Sequence, residues 1–188
     1  MSLLFQPMNI GTLALSNRIV IAPMCQYSAI DGNAQDWHLM HLGHLAMSGA
    51  GMMIIEATAV SPEGRITPGD LGLYSDDNEA AIGRVITAIR AKTDMPLTIQ
   101  IAHAGRKASS EAPWEGGGQI LPDAAGGWKA EAPSALPHAP EEDAPTALDS
   151  VGLARVKDDF VQTALRSVRL GFQGIELHMA HGYLLHQF

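Results

Sequence analysis

Four runs of almost uninterrupted apolar residues, set apart by segments with helical periodicity, constrain this chain of 188 residues more than any other feature. They are Arg18–Met24, Gly51–Ala57, Leu97–Ala102 and Gly174–His178. A strand with one wet face alternates apolar and polar residues, whereas runs of this kind are buried on both faces and belong to a parallel sheet covered by helices. The segments between them supply the helices. The first runs from an N-cap residue at Asp36 through Leu42, Leu45 and Ala46 to Gly49 and Gly51, about three turns. The second starts at Asp76, with Glu79 placed as in a capping box, and puts Ile82, Val85, Ile86 and Ile89 on one face before Pro96 ends it. The third begins near Asp149 and carries Val156, Phe160, Ala164 and Val168 along one stripe to Gly171, a C-terminal cap. Ahead of them all, Leu3 to Asn17 has turn formers at Asn9-Ile10-Gly11 and reads as a small β-hairpin.

The order β-α-β-α-β-insert-α-β means parallel strands joined by right-handed crossovers, as in a doubly wound sheet or a (β/α) barrel. Periodicity does not choose between the two, but no GxGxxG follows the first strand, which argues against a dinucleotide-binding doubly wound domain. The insert, residues 103–148, holds six of the eleven prolines, two of the three tryptophans and Gly116-Gly117-Gly118. Structureless loops of that length are uncommon unless they are functional, so it is read as an excursion at the C-terminal rim that walls an active site; the alternative is a mobile surface loop. Composition removes other classes. With 12 Lys and Arg against 20 Asp and Glu, a net charge of -8, the chain has no basic footprint for nucleic acid or an anionic membrane surface. Its one cysteine, Cys25, excludes an internal disulfide framework and a Cys-rich metal site, and fits a reducing compartment. No apolar run approaches the ~18 to 20 residues that span a bilayer and no secretory leader pattern opens the chain, so a cytoplasmic location is expected.

Ligands of parallel sheets and barrels collect at the C-terminal ends of the strands, where loops converge on a rigid frame. The four runs end in Pro23-Met24-Cys25-Gln26-Tyr27, in Glu56-Ala57-Thr58, in Ala102-His103-Ala104-Gly105-Arg106-Lys107, and in His178-Met179-Ala180-His181-Gly182-Tyr183. One rim thus gathers a thiol, imidazoles, phenols and a cationic pair. His178 and His181 lack an HExxH pattern and a third carboxylate ligand, so no metal site is expected. As hydrogen-bond donors they can polarise a carbonyl oxygen, with Tyr183 supplying a proton; the plainer alternative is that both rings bond loop backbone. His38, His41 and His44 rotate around the first helix rather than converge, and read as packing or solvent-facing residues, His41 the one of most interest. No GxSxG elbow marks a hydrolase nucleophile, and Lys107, following Arg106 after its strand, is a poor Schiff-base lysine.

Asn17-Arg18-Ile19 leading into Ala22-Pro23-Met24-Cys25-Gln26-Tyr27, then Glu56-Ala57-Thr58-Ala59-Val60 with Gly64-Arg65, then Gln100 to Lys107, then His178 to Tyr183, resembles the Old Yellow Enzyme family of FMN-dependent ene-reductases. The Cys25-Gln26-Tyr27 version is similar to the bacterial branch that includes the xenobiotic reductases. The resemblance covers the whole chain in the family's order. It implies an α/β fold, a (β/α)8 TIM barrel, with FMN across its C-terminal mouth and NAD(P)H as reductant. By position, Ala22, Pro23, Met24 and Cys25 would line the flavin, Ala57 would touch its ring and Gln100 would bond its pyrimidine side. Tyr27, His178 and His181 would hold an enone or nitro substrate, and Tyr183 would donate the proton; Lys107 falls in the matching Arg-Lys pair without an assigned role.

The implied reaction is reduction of an activated C=C bond, with hydride from flavin N5 to the β-carbon and a proton from Tyr183 to the α-carbon. The alternatives are a related dienoyl-CoA or nitro-ester reductase, and a flavin-binding or assembly fragment without turnover. A (β/α)8 barrel takes about 250 residues, and this chain supplies a hairpin cap (residues 1–17) and the first four β/α units. The expectation is the N-terminal half of a single FMN-binding barrel domain that needs the C-terminal half as its partner, since four strands alone leave edges and an inner face uncovered. A homo-oligomer is expected from the resemblance alone.

Overall fold

The apolar runs lie side by side as parallel strands in the computed structural model, which describes residues 2–188. In chain order the elements are strands β1 (Met8–Ile10), β2 (Leu13–Leu15) and β3 (Val20–Ile21), helix α1 (Asp36–Ala46), β4 (Met52–Ala59), β5 (Leu71–Gly72), α2 (Asp76–Arg90) and β6 (Leu97–Ala102). They continue as β7 (Glu131–Ala132), β8 (Thr146–Ala147), α3 (Ser150–Arg169) and β9 (Gly174–Leu177). β1 and β2 form the antiparallel hairpin, turning at Gly11 with a φ of 58° that glycine adopts without a Cβ penalty.

The main sheet runs β3-β4-β6-β9, all parallel, with β5 beside the end of β4. Each β/α unit therefore places its strand next to the preceding one. A doubly wound sheet reverses its strand order at a switch point, and this sheet does not. The arrangement is that of a (β/α) barrel, four strands of which are present.

Alternation along the strands sorts the two faces. Met53 and Ile55 on β4 and Leu97, Ile99 and Ile101 on β6 are fully buried against Leu42 and Ala46 of α1 and Ile82, Val85, Ile86 and Ile89 of α2. Each such side chain contributes about 1.5–3 kcal/mol through its removal from water. Thr98 and Gln100 alternate with them and point to the barrel interior. A register shift between Ile55 and Thr58 sets Glu56 and Ala57 together opposite the single residue Gln100, a β-bulge at the rim end of β4.

Several boundaries differ from expectation. Only Val20 and Ile21 of the first run pair with β4, because Pro23 has no N–H to give the ladder and the chain lifts away there. The cap of α2 is Ser75, whose hydroxyl accepts from the Asn78 N–H, so Asp76 is the first helical residue. α3 does start at the Asp149 cap, but its buried face is Val156, Thr163 and Ser167, and Val168 is 66% exposed. A stripe drawn in steps of four drifts about 40° per step on a helix of 3.6 residues per turn, which carries Val168 off the buried face. Gly171, φ 75°, closes α3 as a Schellman cap, with its own N–H on the Val168 carbonyl and that of Phe172 on Ser167.

Candidate active site

The strand ends converge on one rim, and hydrogen bonds between loops fix its shape. The 3₁₀ turn Gly105–Lys107 after β6 lies against the loop after β9. Gln187 joins them: its amide donates to the Gly182 carbonyl at 2.7 Å and the Ala104 carbonyl at 3.3 Å, and accepts from the Arg106 N–H at 3.3 Å. Lys107 donates to the His181 carbonyl at 2.8 Å, and its ammonium sits 5.7 Å from the centroid of the Tyr183 ring. Sequence reasoning gave Lys107 no role; the structure makes it the strut beneath the β9 loop.

That loop carries the three residues expected to act on substrate, and they do come together. The His178 ring meets His181 edge-on at 5.2 Å and Tyr183 edge-on at 4.7 Å between centroids. His178 is buried and its Nδ1 accepts the Ala180 N–H at 3.3 Å, so the neutral ring carries its hydrogen on Nε2, free to donate. Burial, and then the neighbouring His181, lower the tendency of His178 to protonate. His181 has a φ of 57°, a left-handed conformation costly for a residue with a Cβ, retained here by the Lys107 bond to its carbonyl. Tyr183 packs near Ala104, Ala108 and Ala130; burial, then the nearby acidic groups Cys25 and Asp70, push its phenol up to about 12, so it keeps its proton at neutral pH.

Across the rim, the Cys25–Tyr27 turn follows β3. Cys25 is half-buried and its thiol is pushed up to about 12 by burial, and further by Asp70 and Glu56. It is therefore a neutral thiol rather than a thiolate. Tyr27 stands beside Cys25, and its phenol is raised by burial and by Cys25. Its φ of 50° is again left-handed, and Gly69 packs so tightly on the Tyr27 carbonyl that a Cβ there would lie 2.5 Å from the oxygen. The segment from Ser61 to Gly72, which ends in β5, thus braces the turn; the Ala29 N–H bonds the Gly69 carbonyl at 2.8 Å. Asp70 anchors that segment through the Ile66 N–H and the Thr67 hydroxyl, and burial pushes its carboxyl up to about 6.

The insert is ordered against this rim. Trp128 donates from its indole to the Glu63 carbonyl at 3.0 Å and lies under Arg65, 4.9 Å from ring centroid to guanidinium. Trp114 meets Tyr27 edge-on at 5.5 Å, and the two flank a cleft of about 630 Å³ with Thr67, Pro68 and Gly69 on its floor. β7 and β8 close the base of the insert as a short parallel pair.

One pair escaped the sequence reading. His38 is the helix α1 histidine enclosed by the core: it is wholly buried with Nε2 3.6 Å from Glu56 Oε1, while His41 is half-buried and stacks on Trp37 at 6.2 Å. The available signal was Glu56 itself, a carboxylate inside an apolar strand, which requires a buried polar partner. His103 is also buried, with Nδ1 accepting the Gly105 N–H at 3.0 Å, and burial lowers it to about 4. The remaining expected residues line the rim: Ala22 and Met24 are exposed, Pro23 is half-buried, Ala57 is buried on the bulge, and Gln100 donates to Glu176 of β9.

Residues 3–188 match the NADH:flavin oxidoreductase / NADH oxidase family. The chain belongs to this family. Old Yellow Enzyme relatives agree in sequence and in structure. An NADH:flavin oxidoreductase of Gibberella zeae is 43% identical over 187 residues, 98% of this chain and 45% of that protein. An NADPH dehydrogenase of Bacillus velezensis is 38% identical over 98% of this chain and 50% of its own length. Morphinone reductase superposes with a TM-score of 0.78 at 30% identity, over 96% of this chain and 49% of that one, and its complex with tetrahydroNAD gives 0.79 at 28%. The chain spans about half the length of the curated relatives it matches. FMN is the cofactor of this family, with NADH or NADPH as reductant. Among the described residues, no helix is long and apolar enough to cross a membrane.

Proposed function

We propose that these residues form the flavin- and substrate-facing half of an NAD(P)H-dependent FMN oxidoreductase that reduces the activated C=C bond of α,β-unsaturated carbonyl or nitro compounds. The observation that carries this reading is the His178–His181–Tyr183 cluster, where a buried imidazole with its Nε2 hydrogen free lies 4.7 Å from a phenol held protonated. Such a cluster can bind an oxygen anion and deliver a proton beside it.

The rim also fits a flavin. The ends of β3, β4 and β6 carry small side chains at Ala22, Ala57 and Ala102, which leave room for a flat ring, and Pro23 and Met24 extend that platform. Gln100 offers an amide with both donor and acceptor to the ring's pyrimidine side, and Cys25 a neutral thiol to its reactive edge. When bound, FMN carries hydride from NAD(P)H to the substrate. The chain's own residues do the rest. His178 and His181 donate to the carbonyl or nitro oxygen and draw electron density from the β-carbon. Tyr183 gives its hydroxyl proton to the α-carbon, and Tyr27 bounds the pocket so that a small neutral substrate lies flat and water is excluded.

The apolar surface that Leu153 and Val161 of α3 share with Leu177 and Phe188 suits cover by the following β/α unit of a complete barrel. The reading is tested by FMN binding and two reactions. The protein should be yellow, be bleached anaerobically by NADH or NADPH, and recover its colour with 2-cyclohexenone. A folded protein that takes up no FMN, or bleached flavin that ignores both enone and nitroalkene, would refute it.

A further inference from the structure

Glu56 and His38 are a costly thing to keep in a core. Both are at most 2% exposed, and replacing a buried polar pair with apolar residues of like volume is often neutral or stabilising. Among the described residues, His38 Nε2 and Glu56 Oε1 make no hydrogen bond and face each other at 3.6 Å. The ring's other nitrogen, Nδ1, accepts the Gln35 N–H at 3.0 Å at the start of α1. The neutral ring must then carry its hydrogen on Nε2, aimed at Glu56. The other carboxylate oxygen, Oε2, accepts the Gln26 N–H at 2.7 Å. That N–H belongs to the peptide joining Cys25 to Gln26.

The turn it holds has no regular secondary structure of its own and contains the left-handed Tyr27. Strained backbone persists only where its surroundings over-determine it. Here α1 acts twice, through neighbouring residues: the Trp37 indole donates to the Gln26 side-chain oxygen at 3.1 Å, and His38 reaches the Gln26 main chain through Glu56. The bulge at Glu56–Ala57 sets two consecutive residues opposite Gln100, which frees Glu56 to turn toward Gln26 and α1.

We propose that Glu56 is a positioning residue: seated by His38, its carboxyl group pins the Cys25–Gln26 peptide and thereby sets where the Cys25 thiol and the Tyr27 phenol stand. For catalysis this rests on the reading above that Cys25 and Tyr27 border the flavin and substrate. Asp70 faces the same turn from the Ser61–Gly72 segment but bonds only within that segment, so it braces the turn from outside and does not hold the peptide.

The chain's only cysteine makes the test direct, since alkylation by iodoacetamide reports on Cys25 alone. Two variants break the seat differently. Glu56→Gln keeps the shape but sets an amide N–H₂ against the His38 Nε2–H, and His38→Leu removes the seat while leaving the carboxyl in place. At pH 9, above the value of about 8 at which Glu56 ionises, Glu56→Gln should raise the Cys25 alkylation rate in the flavin-stripped protein by about tenfold, the effect of about one unit in thiol pKa. His38→Leu, which touches neither Cys25 nor its charge, should raise it severalfold, and thermal unfolding should stay cooperative in both. Rates within about twofold of the parent in both variants would overturn the proposal; if His38→Leu fails to fold, His38→Met is read in its place. A rise in Glu56→Gln with none in a folded His38→Leu would also overturn it, because charge alone would then account for the effect. The parent loaded with FMN separates the two readings: if FMN does not slow Cys25 alkylation, the placement of the thiol at the flavin fails while the hold of Glu56 on the turn is judged by the variants.

Discussion

Raising the pH from about 6.5 to about 8 should weaken the fold by about 1 kcal/mol, with Glu56 the group responsible and the two buried histidines offsetting part of its effect. Burial pushes its carboxyl up from 4.5 to about 8, opposed by the Gln26 N–H and helped by Asp70. Between those values the folded chain keeps a proton that the unfolded chain has released, so the contribution of Glu56 to stability falls as pH rises, by at most about 1.4 kcal/mol per unit. Below about 6 the slope nearly vanishes. There Asp70, raised to about 6, adds a second retained proton, while His38 and His103, lowered from 6.5 to about 4, stay neutral where the unfolded chain is charged. Two retained protons against two refused ones cancel, leaving a plateau from about 4.5 to 6 and a decline through the folded-state value of Glu56. Urea unfolding at a series of pH values, extrapolated at constant m, measures this directly. Glu56→Gln should flatten the alkaline limb. A decline of the same size in that variant, or parent stability that rises between pH 6.5 and 8, would refute the reasoning.

Three further outcomes follow from named contacts. Ser75→Ala removes the hydroxyl that caps α2 and should cost about 1 kcal/mol in urea unfolding, with no effect on flavin binding. Lys107→Met frees the His181 carbonyl; loss of about 1 kcal/mol of positioning should raise the KM for an enone about fivefold and leave flavin reduction by NAD(P)H unchanged. His178→Ala, and separately His181→Ala, should weaken the binding of a phenol such as p-hydroxybenzaldehyde to the FMN-loaded protein by about tenfold, read as loss of the long-wavelength absorbance of the complex. An unchanged titration would return both rings to backbone bonding.

The fold was legible where burial writes itself into composition. Continuous apolar runs identified the β4, β6 and β9 strands, with Leu97–Ala102 read to the residue; β4 and β6 are buried along their length, whereas β9 is largely exposed. Periodicity left barrel and doubly wound sheet open; the resemblance chose the barrel, and the observed strand order agrees with it. β5, β7 and β8 are two residues each and too short for any period to register. At the site, His178, His181 and Tyr183 were readable because they follow one strand end, so proximity in sequence is proximity in space. Glu56 and His38 were not, since their meeting depends on a bulge and on the docking angle of α1. Lys107 was missed for the same reason: it acts on a carbonyl 74 positions away.

The central claim is that Tyr183 gives the proton that completes reduction of an activated alkene. Anaerobic stopped-flow absorbance of the bound flavin, with Tyr183→Phe beside the parent, separates the two halves of the reaction. The account predicts reoxidation by 2-cyclohexenone slowed by about a hundredfold or more, the scale of a lost general acid, with reduction by NAD(P)H changed by less than about twofold. Equal slowing of both halves, or of neither, would contradict it.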